Sequence, residues 1–300
     1  MFLTLQQDHL FEPWLYFKNP LVRQLAFSLA SPNILRAYPD QFEIQQSFQL
    51  HTELIWTQYF HLYQTRLQYL DQHPTELEDF LNQLKSTRLG LRFEMFIWFW
   101  LRDDDYHPYE LLGHSIQQIA GSKTLGELDF LLKNTQTNQI EHWEVALKYY
   151  LAECDFSFPH WYGLNRTDTL KRKLNHFTQK QFQFYQALNH VIQQRFVILK
   201  GQLYIPLHAT TQQIPHWVNQ HRRIGLWGYD AIPYAASPYR LQRHEWLCPH
   251  ASATSITPQL WTDGLYCYLD KDGEQNFYMY RNRPLLQHYT EPQNNAIYIL

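Results

Sequence analysis

Two carboxylates fifteen residues apart, each set in a stretch otherwise fit for burial, constrain this chain more than any other feature. Asp129 closes Gly126-Glu127-Leu128-Asp129 and is followed by Phe130, Leu131 and Leu132; Glu144 sits within Glu141-His142-Trp143-Glu144-Val145-Ala146-Leu147-Lys148. An ionised carboxylate in such surroundings costs several kcal/mol unless something compensates it. A divalent cation is an expected compensator. Alternation along a strand puts Glu127 and Asp129 on one side of the first segment, and Glu144, Ala146 and Lys148 on one side of the next.

A third acid poses the same question in a helix. In Phe93-Glu94-Met95-Phe96-Ile97-Trp98-Phe99-Trp100-Leu101 apolar residues cover every side, so Glu94 has no plainly solvent-facing direction. Together the three acids would form an oxygen-rich pocket, the ligand type that magnesium prefers over softer metals. Plainer roles are open for each: ion pairs of Asp129 and Glu144 with Lys148 and Arg172, an ion pair of Glu94 with Arg88 or Arg92, and a supporting or surface place for Glu127.

The rest of the chain reads as a mixed α and β protein. Residues 13–70 carry apolar residues at helical spacing, broken at Ser31-Pro32 and Tyr38-Pro39-Asp40, and another helix opens after Pro74, with Thr75 as cap and Glu78 completing the capping box. Three strand-like runs follow at 111–120, 125–132 and 140–151, an expected antiparallel meander. Leu170, Leu174, Phe177, Phe184, Leu188 and Val191 predict one long amphipathic helix, with Gln181 in its stripe. Beyond Phe196 the pieces are strand-like: 196–207, 224–229, and a hairpin around Asp272-Gly273 between 266–269 and 277–280.

Composition narrows the options. With 300 residues, 45% of them hydrophobic and 17% aromatic, the chain can bury a large core. The longest apolar run, near 96–101, is far below the roughly 20 residues of a membrane span, and no basic, cleavable leader is seen, so a soluble cytoplasmic protein without membrane contact is expected. Cys154, Cys248 and Cys267 show no paired spacing and are expected reduced and buried. His244, Cys248 and His250 fit no zinc spacing. A net charge of −3 argues against indiscriminate nucleic-acid binding while allowing one basic groove, for which Lys171-Arg172-Lys173, Arg222-Arg223, Arg240 and Arg243 are candidates and a solvated face is the plainer account. The aromatic residues of the last third suit a sheet core, or stacking on unpaired bases. No obligate protein partner is evident.

The order of elements resembles the PD-(D/E)xK nuclease superfamily: a helix glutamate, a Gly-Glu-x-Asp strand, a Glu-x-Lys-like strand, then Gln-x-x-x-Tyr. The matching positions are Glu94, Asp129, Glu144, Gln181 and Tyr185. More narrowly, Asn19 to Ala26, Arg88 to Glu94, Gly126 to Leu132, His142 to Leu151, and Trp161-Tyr162-Gly163 with Asp168 and Lys173 resemble a bacterial domain-of-unknown-function family, number eighteen-fifty-three, grouped with that superfamily. The resemblance implies an α/β (α+β) fold with a restriction-endonuclease-like core, a mixed sheet flanked by helices, over 75–195. A helical region at 1–74 and a β-rich region at 196–300 would flank it.

It also implies magnesium or manganese held by Asp129, Glu144 and Glu94, with phosphodiester hydrolysis of DNA ahead of RNA. One departure stands out. The superfamily's lysine follows the second acid by two positions, where this chain has Ala146; Lys148 lies roughly 13 Å along the strand from Glu144 at about 3.3 Å per residue. Lys148 leaning back, or Lys173 from the next element, would have to supply that charge, and without either the fold would bind nucleic acid, or serve as a protein scaffold, without cutting.

Overall fold

The computed structural model describes residues 10–209, 213–232, 236–249, 261–269 and 273–283. Four helices come first: α1 (Pro20–Ala30), α2 (Glu53–Gln72), α3 (Thr75–Leu81) and α4 (Leu89–Leu101). Asn19 caps α1 by accepting the N–H groups of Leu21 (2.8 Å) and Val22 (3.4 Å), and Pro20 occupies the first turn, where its missing N–H costs nothing. The expected meander is present as β1 (Tyr109–Ala120), β2 (Lys123–Asn134) and β3 (Gln139–Ala152), antiparallel throughout.

After the short β4 (Trp161–Tyr162), α5 (Leu170–Gln179) carries the chain across the sheet. A two-stranded hairpin, β5 (Gln186–Ala187) and β6 (His190–Val191), leads into β7 (Gln194–Pro206), which lies parallel to β3 from Glu141 opposite Gln194 to Leu151 opposite Tyr204. A parallel neighbour requires such a crossover connection. The sheet is completed by β8 (Gly225–Gly228), β9 (Ala236–Arg240), β10 (Gly264–Leu269) and β11 (Gln275–Tyr280), giving the order β1-β2-β3-β7-β8-β11-β10-β9, with β4 on β3. The fold is therefore a mixed α/β architecture with a helical N-terminal part and a strand-rich C-terminal part. None of its described helices is long and apolar enough to cross a membrane.

Alternation along β3 separates two cores. Trp143, Val145, Leu147 and Tyr149 pack with α1, α2 and α4 on one face, while Ala146, Tyr150 and Ala152 pack with Leu170, Leu174 and Phe177 of α5 on the other. Glu144 belongs to the α5 side by the same alternation. At Gly201 of β7, φ is +125°, and a Cβ there would stand 1.9 Å from the Lys148 carbonyl oxygen. Only glycine fits that approach.

Several sequence expectations are corrected. The long helix over 170–191 is only α5: after its cap Lys180 the chain turns through a 3-10 turn at Gln181–Gln183, buries Phe182, and reverses at Leu188 (φ 45°) and Asn189 (φ 65°). Its later apolar residues instead serve two purposes, since Phe184, Ala187 and Ile192 cover Leu128 and Leu131 beneath the β1–β2 hairpin while Leu188 and Val191 are exposed. Thr75 is the first residue of α3 and makes no cap, because Pro74 precedes it as the capping position. Cys154 is exposed, whereas Cys248 and Cys267 are buried, and all three are free. The hairpin of β10 and β11 pairs as expected, although Asp272 of its turn, like His250, lies outside the described residues.

Candidate active site

The ladder between β2 and β3 ends at Phe130 opposite Trp143, and the next positions in register are Asp129 and Glu144. The strands part there. Asp129 Oδ2 takes over the freed backbone donor, accepting the Val145 N–H at 2.8 Å, and Glu144 lies within hydrogen-bonding reach of both the Asp129 carboxyl and its backbone N–H. On the other side of β2 the register of β1 brackets Ser115 opposite Asp129. Ser115 has φ of 49°, a left-handed backbone that is uncommon outside glycine and costs on the order of 1–3 kcal/mol.

Glu144 is fully buried. His142 Nε2 is hydrogen-bonded to its Oε1 at 2.7 Å, and the Gln181 amide donates to Oε2. Burial pushes the Glu144 carboxyl up to about 8, the Lys173 ammonium pulls it back, and Glu94 adds repulsion. Burial and the Glu144 charge likewise hold Asp129 well above the usual carboxylate range. Like charges placed so close raise each other, so each carboxyl favours its protonated form more than an ordinary carboxylate does. His142 is pushed down to about 3 by its burial and stays neutral; its Nδ1 is buried without a hydrogen-bond partner.

The basic partner comes from α5. Thr169 caps that helix by accepting the Arg172 N–H at 3.1 Å. Lys173 Nζ donates to Gln181 Oε1 at 3.3 Å and lies 4.0 Å from the centre of the Phe177 ring, so Gln181 bridges the ammonium and Glu144. Burial lowers the Lys173 pKa, and Glu144 and Asp129 act in the opposite sense. Lys148 points elsewhere: its Nζ donates to Asp168 Oδ2 at 2.7 Å.

Glu94 stands at the edge of this arrangement. It couples electrostatically to both acids, yet its Oε1 receives His114 Nε2 at 2.9 Å and the Ser115 hydroxyl at 3.4 Å, and His114 is stacked on Trp98 at 4.2 Å between ring centres. No arginine takes it, since Arg92 Nε donates to Gln24 Oε1 at 2.8 Å. Among the described residues no group of three or more His, Cys, Asp or Glu side chains is gathered tightly enough to hold a metal ion as it stands. Glu127 is exposed, and Tyr185, 63% exposed, accepts from Gln46 Nε2 at 3.2 Å rather than meeting Gln181.

Three participants escape a reading by residue type alone. His142 is signalled only by its two-residue spacing from Glu144, which puts both on one face of a strand. His114 and Ser115 are what awaits Glu94, and nothing in the sequence of β1 marks them. Glu141 is a further buried acid, held by Asn134 Nδ2 (2.9 Å) and Trp143 Nε1 (2.8 Å) on the opposite face of β3. Its dedicated donors make it structural.

A family model described as Domain of unknown function (DUF1853) matches residues 23–276, a span that contains every residue of this site. The chain belongs to the DUF1853 family. No curated protein and no solved structure matches it. The DUF1853 assignment names no chemistry, so function has to be argued from the Asp129–Glu144 pair and its surroundings.

Proposed function

We propose that the chain is a metal-dependent nuclease of the PD-(D/E)xK type, hydrolysing phosphodiester bonds of DNA ahead of RNA, with magnesium or manganese as the cation. The observation that carries this reading is the pairing of Asp129 and Glu144 where β2 and β3 part, with Lys173 joined to Glu144 through Gln181. The donor set fits a hard cation. Magnesium is commonly held by one or two carboxylates with waters and substrate oxygens completing the shell, so the pair suffices without a third side chain. A bound cation would compete with protons for these raised carboxyls.

When bound, such an ion supplies Lewis acidity to a phosphoryl oxygen and lowers the pKa of its water. Asp129 and Glu144 would hold it, with Glu94, whose Oε1 is taken by His114 and Ser115, reaching it through water. Lys173 faces the negative charge that grows on the phosphoryl group, the role that the superfamily gives to the lysine replaced here by Ala146. Gln181 fixes the distance between Lys173 and Glu144, and His142 fixes the Glu144 carboxylate from behind.

Labelled single-stranded, duplex and branched DNA, incubated with magnesium or manganese, test this directly. Metal-dependent cleavage is expected, reduced at least about a thousandfold in Asp129→Ala, by the scale on which such groups act. Activity undiminished by that substitution excludes the site. A second reading, a fold that binds nucleic acid without cutting it, draws on Ala146 and on the engagement of both Glu144 oxygens by His142 and Gln181. Salt-dependent binding with no cleavage under any divalent metal would select it.

A further inference from the structure

We infer that the outward face of α5, together with Lys148, is a track for the phosphodiester backbone of a nucleic acid, leading it to Asp129 and Glu144; this assignment rests on the function proposed above. The helix reads Leu-Lys-Arg-Lys-Leu-Asn-His-Phe-Thr-Gln and carries no acidic residue. Leu170, Leu174, Phe177 and Thr178 are buried against the sheet, which leaves Lys171, Arg172, His176 and the cap residue Lys180 exposed.

Arg172, His176 and Lys180 follow one another at a spacing of four, so they stand on one side of the helix with a rise of about 6 Å between neighbours. Lys173, next to Arg172, turns inward to Gln181 and the acids. The outer row and the inner lysine thus connect a basic surface to the candidate active site.

This surface has little counter-charge. Asp168 pairs with Lys148, and among the described residues the Arg172 guanidinium donates to the Thr167 carbonyl, at 3.1 Å, and to no acid. Four cations, Lys173, Lys180, Arg172 and Lys148, act on the His176 imidazole and add to the lowering of its pKa by burial, with no acid among its causes. A local positive field in a chain of net charge −3 is selective for something anionic. A row of side chains that follows a helix axis suits a repeating anion better than a single phosphate, which is held by convergent donors.

The test uses the full chain with chelator present, so that nothing is cut, and fluorescein-labelled single-stranded and duplex oligonucleotides followed by anisotropy. Arg172→Glu with Lys180→Glu reverses two exposed charges on the track. Lys85→Glu with Arg88→Glu makes the same charge change at exposed positions before α4, which packs on the opposite face of the sheet.

The parent is expected to bind, and the α5 variant to bind at least about tenfold more weakly, with a single-strand salt slope shallower by about 1.4 between about 50 and 200 mM salt. The control pair is expected to bind like the parent. Equal loss in both pairs, no loss in the α5 pair, or displacement of the oligonucleotide by polyglutamate at equal charge overturns the track. A protein that binds through α5 but never cleaves with metal keeps the track and loses the nuclease reading. Cleavage indifferent to the α5 reversal does the opposite.

Discussion

The molecule places charge in its interior at two sites on three neighbouring strands and treats it in different ways. Lys200, on β7, is fully buried, yet its Nζ donates to the carbonyls of Leu29 (3.2 Å) and Ser31 (2.5 Å) at the end of α1 and lies 3.4 Å from the centre of the Trp56 ring. A helix C-terminus leaves such carbonyls unpaired, and a lysine there satisfies them. On β2 and β3, Asp129 takes the Val145 N–H and Glu144 takes His142 and Gln181, but the two acids also face each other, and their charge is answered by Lys173 through Gln181. Lys200 has its partners built into the backbone, although burial and Arg222 lower its pKa; two facing acids answered by one ammonium through an amide are poised for a ligand.

The sharpest way to break this contrast is to remove Lys173 and Lys148 in turn. Lys173→Met is expected to lower the metal-dependent cleavage rate by about a hundredfold or more, and Lys148→Met by about tenfold or less, because only the former faces the acids. Equal losses in steady-state kinetics would erase the distinction. Next in size is the structural lysine. Lys200→Ala leaves two carbonyls without their donor and a gap beside Trp56, and should cost about 3 kcal/mol in urea unfolding, whereas Lys173→Ala, which removes one hydrogen bond, should cost about 1–1.5 kcal/mol. A reversed order would make Lys173 the structural group.

The acid pair predicts a pH dependence of known sign. The folded state keeps a proton on Glu144 up to about 8, while the unfolded chain releases it near the ordinary 4.5. The folded form therefore binds more protons, and stability conferred at low pH is lost as pH rises through that window. Without divalent metal, the parent should lose on the order of 3–4 kcal/mol relative to Glu144→Gln between pH 5 and 8.5. Parallel denaturation midpoints for the two proteins across that range would refute the raised Glu144 carboxyl. The smallest effect concerns the scaffold of Lys173: Thr169→Ala removes the α5 cap and should cost about 1 kcal/mol in thermal unfolding.

Much of this arrangement was legible in the chain. Period-two alternation located the meander and put Glu144, Ala146 and Lys148 on one side, and the apolar surroundings of Asp129 and Glu144 marked them as acids in need of compensation. The all-round apolar character of α4 correctly announced that Glu94 had a partner. What failed was local periodicity after Lys180, since Leu188 and Val191 mimic a helical stripe although the chain turns back on itself at Leu188 and Asn189. The identity of the partners was also beyond reach. His114 and Gln181 are set by register and by a turn, and neither has a period that a single sequence displays.

Gly201 bears on all of this from behind. Since no atom beyond hydrogen fits between its α-carbon and the Lys148 carbonyl, any side chain there would act as a wedge and prise β7 from β3 at the far end of the strand that carries Glu144. The seam between those strands tolerates no added carbon, and a substitution at that one hidden position would disturb the placement of chemistry several residues away without touching a single polar group.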